Sequence, residues 1–223
     1  MAIKTAIKST SSFATAAAHE AEGAGHRRNT DKGNSTATAI LEQTKNILSE
    51  QGLAAISIRS VADRCQMSPG NVTYYFRTKE ILFAELAKYL FARWNRRFYR
   101  KLADFAGPPL ETLVYSIEYM IEENKRPKSS NMLLEMWAMS THSPAVMMMM
   151  DVFYGQMRSW IARLLEAANP AQPEATRQLR AARITAQIEG LMILIGPNRV
   201  DHAELRGLEK EAIRQMKHLA LSD

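Results

Sequence analysis

The sequence predicts an all-α protein of about nine helices, and three observations carry that expectation. Apolar residues recur at three- and four-residue steps through most of the 223 residues. Between those stripes stand breakers such as Gly107-Pro108-Pro109, Ser143-Pro144 and Asn169-Pro170, which end one helix and allow the next to open. No segment alternates apolar and polar residues between hairpin turns as a half-buried strand does. The longest apolar run, Leu191 to Ile195, is far below the ~18 residues that a membrane span needs, so no transmembrane helix is expected.

Residues 1–34 are different in kind. They are rich in Ala, Ser, Thr and Gly, hold few large apolar residues and show no lasting period, and so read as a disordered arm. The Phe13 to Ala18 stretch is too short and too weakly apolar for a secretory signal.

A leading helix is expected from Ala37 to Gln51, closed by Gly52. Ser57 can cap the next, whose apolar positions Ile58, Val61, Ala62 and Cys65 keep helical spacing while Arg59 and Arg64 point elsewhere. Ser68 can cap a third, with Pro69 at the first helical position, where its missing N–H costs nothing. Two short helices so spaced, over about residues 57–76, match a helix-turn-helix whose second helix lies in the major groove of DNA. An ordinary capped helical hairpin has the same spacing.

The run from Ser68 through Tyr74-Tyr75-Phe76 to Lys79-Glu80 adds specificity. From about Thr36 to Leu90 the chain resembles the DNA-binding domain of the TetR family of bacterial regulators. The resemblance implies a DNA-binding domain over residues 35–95, followed over 96–223 by a helical domain that binds an effector and dimerises. Carried over by position, it places Ser68, Pro69, Gly70, Asn71, Thr73, Tyr74 and Tyr75 at the DNA surface, with Arg59 and Lys79 on flanking phosphates or bases. The chemistry of these side chains suits that role. Gly70 lets backbone approach the duplex, Asn71 can pair with adenine, Thr73 offers a methyl and a hydroxyl, and the tyrosine hydroxyls can hold phosphates. Val72 and Phe76 are expected to be core.

Two positions depart from the family pattern. Gln66 stands where a left-handed glycine is usual, at a cost on the order of 1 kcal/mol. Ser60 stands where an acidic residue often completes a capping box with Ser57, so that helix is expected to lose one reciprocal bond.

Charge agrees with a nucleic-acid partner. The chain carries +6 overall, yet residues 26–101 hold 14 basic against 6 acidic side chains, leaving the remainder slightly acidic. Arg93, Arg96, Arg97, Arg100 and Lys101 fall late in the fourth helix, where a solvated face near a helix C-terminus explains them as well. His26, Arg27, Arg28 and Lys32 could enter an adjacent minor groove, or the arm could be a plain tether.

Further stripes follow. Leu82, Leu86, Leu90, Trp94 and Phe98 line the fourth helix, and Leu110, Leu113, Val114, Ile117 and Ile121 the fifth. A short helix over Met132 to Met139 precedes a long one, striped from Val146 to Leu164, that ends at Asn169-Pro170. Glu174 to Ile195 becomes apolar nearly all round, with Gly190 allowing close helix approach, and Leu205, Leu208, Ala212, Met216 and Leu219 stripe the last helix. By resemblance these two helices form a homodimer, spacing two reading heads for a palindromic double-stranded DNA operator; they could instead simply finish the monomer core. Again by resemblance, an effector pocket would draw on Trp94, Tyr115, Tyr119, Met120, Met136, Trp137, Met139, Phe153 and Trp160, side chains suited to an apolar or aromatic ligand.

The lone Cys65 can form no internal disulfide, and no zinc spacing, phosphate loop or nucleophile elbow occurs. No enzyme activity, metal or cofactor is expected, and the location is cytoplasmic, on the nucleoid when DNA is bound. The reading is therefore a ligand-responsive transcriptional regulator, a repressor by the family's habit, with a small-molecule carrier or helical scaffold as the competing class.

Overall fold

The computed structural model describes residues 30–222, and among them lie nine α-helices, two 3-10 turns and no strand. Most of the expected N-terminal arm lies outside the described residues. Its last residues do not behave as arm, because helix α1 spans Thr30–Gln51 and begins seven residues before Ala37. Apolar periodicity starts to carry information only near Ile40, which is why the polar turns ahead of it leave no trace in the pattern.

The chain divides into two units at Ala103/Asp104. The first holds α1, a 3-10 turn at Leu53–Ala55, α2 (Ile58–Cys65), α3 (Pro69–Tyr75) and α4 (Lys79–Ala103). Its end falls later than the 95/96 boundary expected from resemblance, since α4 meets no breaker and runs on to Ala103. Ile40, Ile56, Val61, Val72, Leu82 and Leu86 are fully buried here and form the core. Each large aliphatic side chain removed from water in this way contributes roughly 1.5–3 kcal/mol. Alongside that core, Glu42 of α1 accepts from Tyr89 of α4 and pairs with Lys45, and Arg93 Nη1 reaches Glu42 at 3.1 Å and the Tyr89 hydroxyl at 2.9 Å. Burial alone would raise the Glu42 pKa, but these hydrogen bonds and the two cations bring it below the ordinary value. Trp94, expected on the buried stripe of α4, is half-buried and stacks on Phe98 with centroids 4.9 Å apart.

The second unit contains α5 (Pro109–Asn124), α6 (Pro127–Ser140), α7 (Pro144–Ala168), α8 (Glu174–Ile195) and α9 (Leu208–Leu221), with a 3-10 turn at Ala203–Leu205. Proline opens α5, α6 and α7, where the absent N–H would have no partner in any case. Long α7 packs on α5, α6 and α8, while α9 lies against α5 and α8. Leu113, Ile117, Met150, Ile161, Leu165, Ile184, Ile188 and Met216 fill the interior. The four methionines from Met147 to Met150 diverge as a helix requires: Met150 is buried, Met147 and Met148 are exposed. Leu205 falls in the 3-10 turn rather than on the last helix, because Gly207, at φ 88°, separates the two. Arg180 of α8 donates to the carbonyls of Leu219 at 2.9 Å and Ser222 at 2.7 Å, satisfying groups that the end of α9 leaves open.

Candidate nucleic-acid interface and ligand groove

Two serines and a glutamine set the geometry of the α2–α3 turn. Ser57 Oγ accepts from Ser60 N at 3.0 Å and Ser60 Oγ accepts from Ser57 N at 2.9 Å. The capping box is therefore complete, and the expectation of a lost bond is corrected. A serine hydroxyl reaches the N-cap amide as a longer carboxylate would, and Ser60 also donates to Ala55 O at 2.7 Å, which braces it. Gln66 takes the left-handed conformation expected of it, φ 56° and ψ 42°, while Met67 N bonds back to Ala62 O at 2.9 Å and closes the helix end.

Helix α3 is held by the core on one side and bare on the other. Val72 and Phe76 are buried at 0% and 4% exposure. Ser68, Pro69, Gly70, Asn71 and Tyr74 are all exposed, Tyr74 at 80%. A tyrosine left so open on a seven-residue helix takes no part in the core. Ser68 Oγ accepts from Asn71 N at 3.2 Å and so caps the helix. Thr73 is half-buried and donates its hydroxyl to Gly70 O at 3.0 Å, so that hydroxyl is satisfied within the helix. Tyr75, also half-buried, meets Tyr74 edge-on with centroids 5.2 Å apart. A Cβ built on Gly70 would meet only Ser68 Oγ, at 3.7 Å, so nothing within this unit demands glycine there.

Around this helix, Arg59 is exposed on α2, and exposed Lys79 sets its ammonium 5.2 Å from the Phe83 ring centroid at the start of α4. Arg64 instead pairs with Glu50. Arg77, exposed between α3 and α4, escaped the sequence reading, although its charge directly after Phe76 was the available signal.

In the second unit, α6, α7 and α8 enclose an open groove of about 740 Å³. Leu134, Met147, Met150, Met192 and Ile193 give it apolar walls. Of the aromatic and methionine residues expected at an effector pocket, Trp137 lines this groove. Met120, Met136, Met139, Phe153 and Trp160 are buried between helices, whereas Tyr115, half-buried, stacks on Phe105 at 4.5 Å and Tyr119 is half-buried. Helical period shows that such residues face inward, but not which seam they enter. Gly190, expected at a close helix approach, borders the groove instead, and a Cβ there would meet nothing within 4 Å.

The polar groups of the groove were missed. Tyr154 accepts from Trp137 Nε1 at 3.1 Å, and the two rings stack with centroids 5.5 Å apart. Burial, and then the charge of Glu189, push the Tyr154 hydroxyl well above its ordinary range. Burial also raises the Glu189 carboxyl, and the opposing influence of Tyr154 and Asn124 is insufficient to cancel it. Glu189 Oε2 is buried without a hydrogen-bond partner. At the rim Arg158 stands 3.9 Å from Asp151. An acid between Ile188 and Gly190, at the most apolar end of α8, was the sequence signal for this cluster.

Comparison with known proteins places both units. Residues 40–86 match the family model for bacterial regulatory proteins of the tetR family, and residues 110–217 match that for the C-terminal part of BetI-type transcriptional repressors. The HTH-type transcriptional regulator BetI of Paraburkholderia phytofirmans is 26% identical over 156 residues, 69% of this chain and 78% of that protein. A TetR transcription regulator from Haloarcula marismortui shares the fold with a TM-score of 0.62 at 19% identity, covering 84% of this chain and 97% of its own. So does a transcriptional regulator from Saccharomonospora viridis solved in complex with choline, with a TM-score of 0.61 at 20% identity over 83% of this chain and 94% of its own.

Proposed function

We propose, since the chain belongs to the TetR family of bacterial regulatory proteins, that it is a repressor which binds a palindromic operator as a homodimer and releases it when a small molecule fills the α6–α8 groove. The observation that carries this reading is the outward face of α3, where Ser68, Pro69, Gly70, Asn71 and Tyr74 stand in solvent above a buried Val72. In the major groove Asn71 would read a base edge, Gly70 would admit the DNA backbone, and the hydroxyls of Tyr74 and Tyr75 would fix register on phosphates, aided by Arg59 and Lys79. Thr73, with its hydroxyl occupied, would contribute chiefly its methyl.

Apolar side chains left exposed on α8 away from the groove, Leu179 and Leu194, support dimerisation through the last two helices. The groove supports an effector role for an apolar ligand, and the choline carried by a similarly folded regulator is in keeping with a small-molecule signal. Release follows if the ligand binds more tightly to a conformation whose reading heads are wrongly spaced. Such a protein works in the cytoplasm, on the nucleoid while DNA is bound.

Fluorescence anisotropy with duplexes from the flanks of the chain's own coding region tests the proposal. Wild-type protein should bind one of them, with affinity falling steeply as salt rises. Asn71→Ala should weaken that binding by roughly five- to a hundredfold, the span of a lost base contact. Gly70→Ala should bind poorly too while keeping or slightly raising the melting temperature, because its Cβ has room within the protein. Wild-type protein with no DNA affinity at low salt would overturn the reading.

A further inference from the structure

We propose that the second half of α4 carries a DNA-binding surface separate from the reading helix, in which Arg93, Arg96, Arg97, Arg100 and Lys101 hold the phosphates of a second duplex without reading its sequence. The inference goes beyond the operator reading and takes from it only that α3 occupies the first duplex. From Leu86 to Ala103 the sequence of α4 has no Asp or Glu. The steps of three and four residues that bury Leu82, Leu86 and Leu90 continue in register through Arg93, Arg97 and Arg100, so one face of the helix passes from core to exposed cations. Arg96 and Lys101 flank that line and are exposed too. Arg93 reaches Glu42 at 3.1 Å, whereas Arg96, Arg100 and Lys101 make no ion pair among the described residues.

Helix energetics alone do not account for this face. The negative end of the helix dipole favours cations in the last turn, which covers Arg100 and Lys101 but leaves Arg93, Arg96 and Arg97 unexplained. Arg93 with Arg97, Arg96 with Arg100 and Arg97 with Lys101 set like charges four residues apart, an arrangement that destabilises a helix. A polyanion laid along the face removes that repulsion, and the counterions released from its phosphates add to the gain. Arginine predominates, and its planar fork grips phosphate through paired hydrogen bonds. The surroundings select the partner. A protein interface has an apolar or aromatic centre, and an interfacial helix sinks an apolar face into lipid, but every large apolar side chain from Leu90 to Leu102 is buried or half-buried. Interfaces with DNA are instead polar and strongly positive. Helix α4 opens at Lys79, directly after α3, and at 1.5 Å per residue the cations lie about 20–33 Å further along its axis. No side chain spans that distance, so the two faces are two sites.

The full-length protein, loaded on beads that carry the flanking duplex it binds as operator, is offered a short fluorescent duplex of random sequence at low salt. Wild type should retain this second duplex. Arg96→Gln, Arg100→Gln and Lys101→Gln together should cut retention at least about tenfold, with operator affinity unchanged and a melting temperature close to wild type, since all three residues are exposed. No retained duplex, equal retention by the variant, or a matching loss of operator affinity would overturn the proposal, the last by putting these cations on the operator itself. If no flanking duplex serves as operator, that reading fails alone, and fluorescence anisotropy with the random duplex decides the α4 surface. A log–log salt slope shallower by about three in the variant upholds it, while equal slopes or no binding overturn it.

Discussion

Glu189 sets the fold against its own ionisation, with a consequence for stability that pH exposes. Its folded-state pKa is raised above the ordinary 4.5, chiefly by burial, while Tyr154 and Asn124, the polar groups facing it, oppose the shift. The folded state therefore holds a proton more tightly than the unfolded chain, and stability falls as pH rises from about 4.5 toward the raised value. Glu189→Gln removes that titration. Its melting temperature, measured against wild type by circular dichroism, should gain steadily on wild type from pH 4.5 upward and match it most closely below. A constant difference across that range would mean that Glu189 ionises freely. Cys65 also lies where burial raises its pKa, and at neutral pH it behaves as a small packed side chain rather than a reactive thiolate.

Helix ends are where this sequence speaks most clearly, because a cap is a local event. Ser57→Ala should remove the Ser60 amide's partner and cost about 1 kcal/mol, read as a lower urea midpoint with an unchanged slope. The starts of α2 and α3, the span of α8 and the buried faces of α3 and α5 were all legible from capping residues, prolines and period. Less so was the start of α1, whose first turns carry no apolar stripe. The Ser57–Ser60 box was misjudged because a residue pattern was read where the requirement is only for an oxygen within reach. The groove lay further out of sight, since it depends on which faces of α6, α7 and α8 meet. Period assigns Trp137, Met136 and Met139 to one helix without revealing that only the first borders the cavity.

Taken whole, the molecule concentrates its net positive charge in residues 26–101 and leaves apolar side chains exposed on α8, a division that suits a nucleic-acid partner for the first unit and a second copy for the second. Leu179→Glu with Leu194→Glu should leave the monomer's melting temperature nearly unchanged, both residues being exposed, yet convert a dimer to a monomer by light scattering at micromolar concentration. Operator affinity should then collapse, because one head must do the work of two. An unaltered mass would place the interface elsewhere.

The α2 cap is built from two hydroxyls where a carboxylate would be the commoner choice. Neither atom is ionic, so counterions gain no purchase on this joint and acid does not loosen it. Weaker grip on a duplex in concentrated electrolyte then reflects the competition of cations for phosphate, and not a slackening of the hinge that aims α3.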